Sequence, residues 1–242
     1  MASNWTTADN PLLLPIEHLT NSSCDILDRH GYFNCEHKGY QAAWSVHDDQ
    51  KFKDRPGVLE PEELPIRCIQ VAGKPQIISE IGWPLPNRFR AEAPLVCSTY
   101  GALQGIDGVF FFALNSPGWH DGTPKFAVST PSVLGQFPAT ALQYRRGDVS
   151  EAPVAENLTL DLERVLAFNN WRKDDFDTVS PEPDPLAFFS GRVERGFGGK
   201  TERQQNRELR KNQYENRITA LNGATRWDAE NGLVTVNTPR SQ

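Results

Sequence analysis

The sequence predicts an α/β fold with parallel strands, followed by a small β-rich module, and three observations carry that reading. Short apolar runs alternate with longer polar or amphipathic stretches through the first two thirds of the chain. One run, Gly108-Val-Phe-Phe-Phe-Ala-Leu114, is apolar almost throughout, as a parallel strand covered on both faces would be. After about residue 150 the spacing turns to period two and to hairpin signals. Residues 1–150 and 151–242 are therefore expected to form two units.

Asp25 to Phe33 reads as a first strand with polar residues at its far end, and Pro75 to Glu80 as a second that ends on a carboxylate. The run 108–114 is the third, expected to be buried on both sides. Ala91 to Leu103 carries apolar side chains at helical spacing, so it is expected to pack on the sheet as a crossover. Thr130 to Arg146 reads as one further helix, with Thr130 as N-cap, Pro131 in the first turn and Gly147 as the stop. Lys38 to Cys68 reads as a long loop whose Tyr40, Trp44 and Phe52 argue against disorder. In the tail, Leu158 to Leu162 alternates, Arg226 to Asn237 reads as a hairpin around Asn231-Gly232, and the polar stretch Gly199 to Gln213 reads as a solvated helix or loop.

The 242 residues carry a formal net charge of −6, which argues against a nucleic-acid groove or an anionic membrane surface as partner. The longest dense apolar run, Val109 to Leu114, falls far short of the roughly 20 residues a spanning helix needs. Four cysteines show no CxxC pair and no zinc spacing, and an extended strand between Cys24 and Cys35 would hold them too far apart to bridge unless the chain doubles back. The N-terminus lacks the basic start and apolar core of a secretion signal.

Three strand ends hold the chemistry. In Ile77-Ile-Ser-Glu-Ile-Gly-Trp-Pro84 a carboxylate closes an apolar strand, where barrel enzymes keep catalytic residues; the alternative is a helix cap or a surface charge. In Arg29-His-Gly-Tyr-Phe33, His30 and Tyr32 point to the same side of an extended chain and can orient a carboxylate; the alternative is a core pair satisfied by backbone. In Leu114-Asn-Ser-Pro-Gly-Trp-His120, Trp119 offers a flat face, and Asn115 or His120 could bond hydroxyls; the alternative is an ordinary packed loop aromatic. No GxSxG, HExxH, P-loop or Rossmann fingerprint is present.

In their order, His30-Gly31-Tyr32, then Glu80, then Trp119, these sites resemble the C-terminal half of a clan A retaining glycoside hydrolase, the cellulase-like (β/α)8 barrels. In that clan a His-x-Tyr motif follows strand six, the nucleophilic Glu ends strand seven, and an aromatic residue follows strand eight. The segment Ser79 to Arg90 is especially similar to cellulase-like proteins of environmental bacteria, which carry an all-β module after the barrel. The resemblance implies a partial TIM barrel, strands five (near Ser3 to Thr6) to eight, followed by a small all-β module. It implies Glu80 as nucleophile, Tyr32 and His30 tuning it, and a carbohydrate substrate held by Trp83, Trp119, Asn115, Trp44 and His120. Tyr40 and His47 would join Trp44 in shaping subsites. It implies no metal and no organic cofactor, because two carboxyls and a water suffice.

A full barrel takes about 250 residues, and the clan's general acid, a Glu after Asn at the end of strand four, has no counterpart here: no Asn-Glu dipeptide precedes His30. The chain is thus expected to be a fragment, with a complementing N-terminal half or a second copy as partner; the compartment stays open, a secreted or periplasmic parent being one option. The alternative from another class is a carbohydrate-binding or structural remnant without turnover. A metal-dependent barrel hydrolase is a weaker third option, since no His and Asp cluster at strand ends.

Overall fold

The computed structural model of the chain describes residues 14–40, 42–43, 45–114, 124–167, 183–209, 213–214 and 216–242. It begins with helix α1 (Leu14–Asn21) and strand β1 (Leu27–Tyr32). After two single 3-10 turns, Gly57–Leu59 and Pro61–Glu63, follow the two-residue β2 (Gln70–Val71) and the longer β3 (Gln76–Gly82). Helix α2 (Glu92–Leu103) and strand β4 (Gly108–Phe111) come next. The order β1-β3-β4 forms a parallel sheet, with α2 as the crossover between its last two strands.

Helix α2 is apolar nearly all round, and it is buried on nearly all sides. Ile78 and Ile81 of β3 join Val96, Cys97 and Tyr100 of the helix in one core. Strand β4 departs from the expectation of burial on both faces: it lies at the sheet edge, and Phe110 is 56% exposed. The helix expected over 130–146 is two, α3 (Pro131–Leu134) and α4 (Phe137–Arg145). Pro138, whose ring cannot accept an α-helical turn before it, opens α4 instead of continuing α3. Thr130 precedes α3 but its side chain makes no cap bond; its hydroxyl lies 3.3 Å from the Arg90 guanidinium.

Strand β5 (Val154–Asp161) leads directly into α5 (Leu162–Ala167), so the tail is not built from strands alone. Beyond the 3-10 turn Ala187–Phe189 come β6 (Arg192–Gly198), β7 (Glu202–Gln205), β8 (Gln213–Tyr214), β9 (Arg217–Thr219), β10 (Thr225–Asp228) and β11 (Leu233–Val236). One sheet runs β2-β6-β5-β7 and the other β11-β10-β9-β8. The polar stretch read as a solvated helix or loop supplies β7, an edge strand with alternating exposure against β5. The hairpin expected around Asn231-Gly232 is present as β10 and β11, with Gly232 at φ +62° and Asp228 accepting from the Asn231 backbone.

The two units expected on either side of residue 150 share one core. Strand β2 pairs in parallel with β6. Tyr100 of α2 packs against Phe189 and Trp227, with ring centroids 5.1 and 5.2 Å apart, and the Trp227 indole donates to the Val58 carbonyl at 3.0 Å. The architecture is therefore mixed α/β with three sheets and few helices, and no closed barrel is present among the described residues. All four cysteines are free thiols. No helix among the described residues is long and apolar enough to cross a membrane.

Candidate functional site

The parallel ladder of β1 and β3 sets the site. Leu27, Asp28 and Arg29 pair with Gln76, Ile77 and Ile78, but His30 pairs with Glu80, so Ser79 is an extra residue in β3. Such a bulge interrupts the strict in-and-out alternation of a strand. Ile78 and Ile81, which plain alternation would send to opposite faces, both enter the core under α2. Ser79 and Glu80 are left together on the other side, opposite Asp28, His30 and Tyr32, which share one face of β1 at period two.

Five polar side chains meet there in a continuous run. The Tyr32 hydroxyl donates to Glu80 Oε2 at 2.5 Å, and His30 Nδ1 lies 3.2 Å from the same oxygen. On its other edge, His30 Nε2 is 3.1 Å from Ser79 Oγ. The Ser79 hydroxyl donates to Asp28 Oδ2 at 2.6 Å, and the Ser79 backbone N–H donates to Asp28 Oδ1 at 2.9 Å. Among the described residues both of these contacts to Glu80 fall on Oε2, not on Oε1. The Glu80 side chain is 27% exposed, so it is reachable while its ring partners stay partly covered.

Tyr32 is held by packing as well as by its hydrogen bond. Its ring lies 4.7 Å from that of Phe126 and 6.5 Å from that of Phe112, centroid to centroid. Burial first, and the Glu80 carboxylate second, push its phenol well above the ordinary range, so it remains a proton donor under all physiological conditions. Gly31 completes the motif for a steric reason: a Cβ at this position would stand 2.6 Å from Pro65 Cβ. The buried Lys125 donates to the carbonyls of Cys35 and Ala42 at 3.0 and 3.1 Å and so ties the segment after β1 to that preceding α3.

An open hollow of about 480 Å³ lies against the end of β1, bounded by His30, Tyr32, Cys35, Glu63 and Arg67 among others. Glu80 is not on its wall, whereas His30 and Tyr32, which both touch Glu80, are. Among the described residues no three His, Cys, Asp or Glu side chains gather as a metal ion would require.

The structure thus brings together His30, Tyr32 and Glu80. It treats Trp83 differently from a sugar platform: the ring is 2% exposed, packs against Phe33 at 5.3 Å between centroids, and sits in the core beside Glu92. Trp44, Asn115, Trp119 and His120 lie outside the described residues, as does the strand expected near Ser3 to Thr6. Tyr40 and His47 of the long loop stand near each other, 6.5 Å between ring centroids, with Tyr40 exposed. Sequence reading missed Asp28 and Ser79. Period two from His30 back along β1 reaches Asp28, but no pattern in β3 announces the bulge that brings Ser79 to it. Compared with protein-family models, with curated proteins and with solved structures, the chain matches none.

Proposed function

We propose that the chain carries the nucleophile half of a retaining glycoside hydrolase site on part of a (β/α)8-type barrel. The observation that carries this reading is the Tyr32 hydroxyl on Glu80 Oε2 at 2.5 Å, with His30 Nδ1 on the same oxygen. A carboxylate that must attack an anomeric carbon needs one oxygen held and the other free, and it must lose negative charge as the glycosyl ester forms. The Tyr32 hydroxyl donating to Oε2, with His30 Nδ1 against the same oxygen, orients the group and aims Oε1. The parallel order β1-β3-β4, with a helical crossover and the polar groups near strand C-termini, agrees with barrel geometry. The family resemblance of His30-Gly31-Tyr32 and Glu80 points the same way.

Retention needs a second carboxyl roughly 5 to 5.5 Å from the first, as acid/base. No Asn-Glu dipeptide supplies it in the pattern of the clan. That feature favours the second reading, a sugar-binding or structural protein without turnover. Activated aryl glycosides separate the two, because their leaving groups depart with little protonation. The nucleophile reading predicts turnover of such substrates that disappears in Glu80→Gln. Binding of sugars with no turnover by either protein would favour the second reading.

A further inference from the structure

Asp28 has no part in the attack described above, yet it is the most deeply covered member of the cluster at 6% exposure. Ser79 serves it twice, through the backbone N–H at 2.9 Å and the hydroxyl at 2.6 Å. A serine hydroxyl has one hydrogen. Given to Asp28, that hydrogen leaves Ser79 Oγ able to meet His30 Nε2, 3.1 Å away, only as an acceptor, so Nε2 must carry a hydrogen of its own.

The opposite arrangement turns the hydroxyl toward Nε2 and puts the ring hydrogen on Nδ1, facing Glu80. It removes the shorter bond from a carboxylate that has little water to replace it, and lost hydrogen bonds cost most where water is excluded. Glu80, by contrast, keeps the Tyr32 hydroxyl and has solvent access in either case. The balance favours Asp28. The Arg29 guanidinium, next to His30 in the chain, donates to the Arg67 carbonyl at 3.0 Å.

We propose that Asp28 is a positioning residue that, through Ser79, fixes a hydrogen on Nε2 of His30 and so leaves Nδ1, the ring atom that faces Glu80, as the nitrogen without one in the neutral ring. A neutral His30 then offers Glu80 no hydrogen through Nδ1, whereas the Tyr32 hydroxyl donates to it throughout. The catalytic meaning of this rests on the nucleophile reading of Glu80; the hydrogen positions do not.

Long-range 1H–15N spectra of the full chain with 15N-labelled histidine report which ring nitrogen carries hydrogen, and His30→Gln identifies the signal among the five histidines. In the neutral ring of the wild type the hydrogen is expected on Nε2. In Ser79→Ala, which deletes the acceptor, it is expected to move to Nδ1. In Asp28→Asn the same move is expected, because the amide donates to Ser79 Oγ and turns the hydroxyl toward the ring. Ser79→Thr keeps a hydroxyl and is expected to keep the wild-type pattern. Hydrogen on Nδ1 in the wild type, or on Nε2 in all the variants that fold, overturns the proposal. If Asp28→Asn does not fold, Ser79→Ala decides alone. A protein that hydrolyses an aryl glycoside without forming an adduct of that sugar on Glu80, but shows these tautomers, would refute the nucleophile reading and leave the hydrogen positions standing.

Discussion

Ser79 and Glu80 are adjacent in the chain and both touch the same imidazole, Ser79 through Nε2 of His30 and Glu80 through Nδ1. In a regular strand neighbours point apart. The bulge opposite His30 reconciles the two, and it lets a single strand end present both a carboxylate and the hydroxyl that links His30 to a buried second carboxylate.

The close approach of Gly31 to Pro65 makes that arrangement sensitive to one methyl group. Gly31→Ala places its Cβ against backbone-fixed proline carbon, not against a flexible side chain. Overpacking of this kind costs about 1–3 kcal/mol. Chemical denaturation is expected to show a loss in that range, accompanied by weakened coupling between residues 30 and 32 and Glu80. A variant with unchanged stability would mean that the segment around Pro65 yields freely.

Tyr32→Phe removes one donor from Glu80 and keeps the ring that packs on Phe126. A hydrogen bond to a charged group is worth about 1.5–3 kcal/mol, or about 10- to 100-fold in rate if it acts at the transition state. The expected result is a fall of that size in kcat/KM for activated aryl glycosides with stability little changed. An unaltered rate would remove Tyr32 from the chemistry.

The shared core predicts that the tail is not dispensable. Trp227 is fully buried against Tyr100 and Phe189 and donates to Val58. Trp227→Ala is expected to cost about 3–5 kcal/mol, and a chain cut at residue 150 is expected to expose α2 and aggregate. Cooperative unfolding of residues 1–150 alone at wild-type stability would contradict this.

His37 supplies a pH test away from the candidate chemistry. Burial first, and the nearby Lys125 second, lower it from 6.5 to about 4, and its Nδ1 finds no hydrogen-bond partner among the described residues. The unfolded chain therefore binds a proton that the folded chain refuses between those values, so stability falls as pH drops from about 6.5 toward about 4. Denaturant midpoints at the two ends of that window are expected to differ less in His37→Gln than in the wild type. Equal differences would show that His37 titrates alike in both states.

How far the sequence could be read depended on how local each cause was. The strands β1 and β3, the helix α2 and the hairpin of β10 and β11 carry their reasons in their own residues: apolar period, helix-compatible spacing, Asn231-Gly232. So did the pairing of His30 with Tyr32, which needs only period two. Other features depend on partners distant in sequence. The exposure of Phe110 reflects what covers the faces of β4, which an apolar run does not state. The burial of Trp83 follows from Phe33 and Glu92 closing over it, which an aromatic after a catalytic-type Glu does not reveal. Likewise β2 joins β6 across more than a hundred residues, so a boundary drawn from a change in composition could not register the common core.

The most direct test of Glu80 as nucleophile is covalent trapping. The chain is incubated with a panel of activated 2-deoxy-2-fluoro glycosides, which form glycosyl esters that turn over slowly, and the adduct is mapped by peptide mass spectrometry. The account predicts one added sugar, carried by Glu80 and absent from Glu80→Gln. An adduct on any other residue, or none from a sugar whose aryl glycoside the protein hydrolyses, would contradict it.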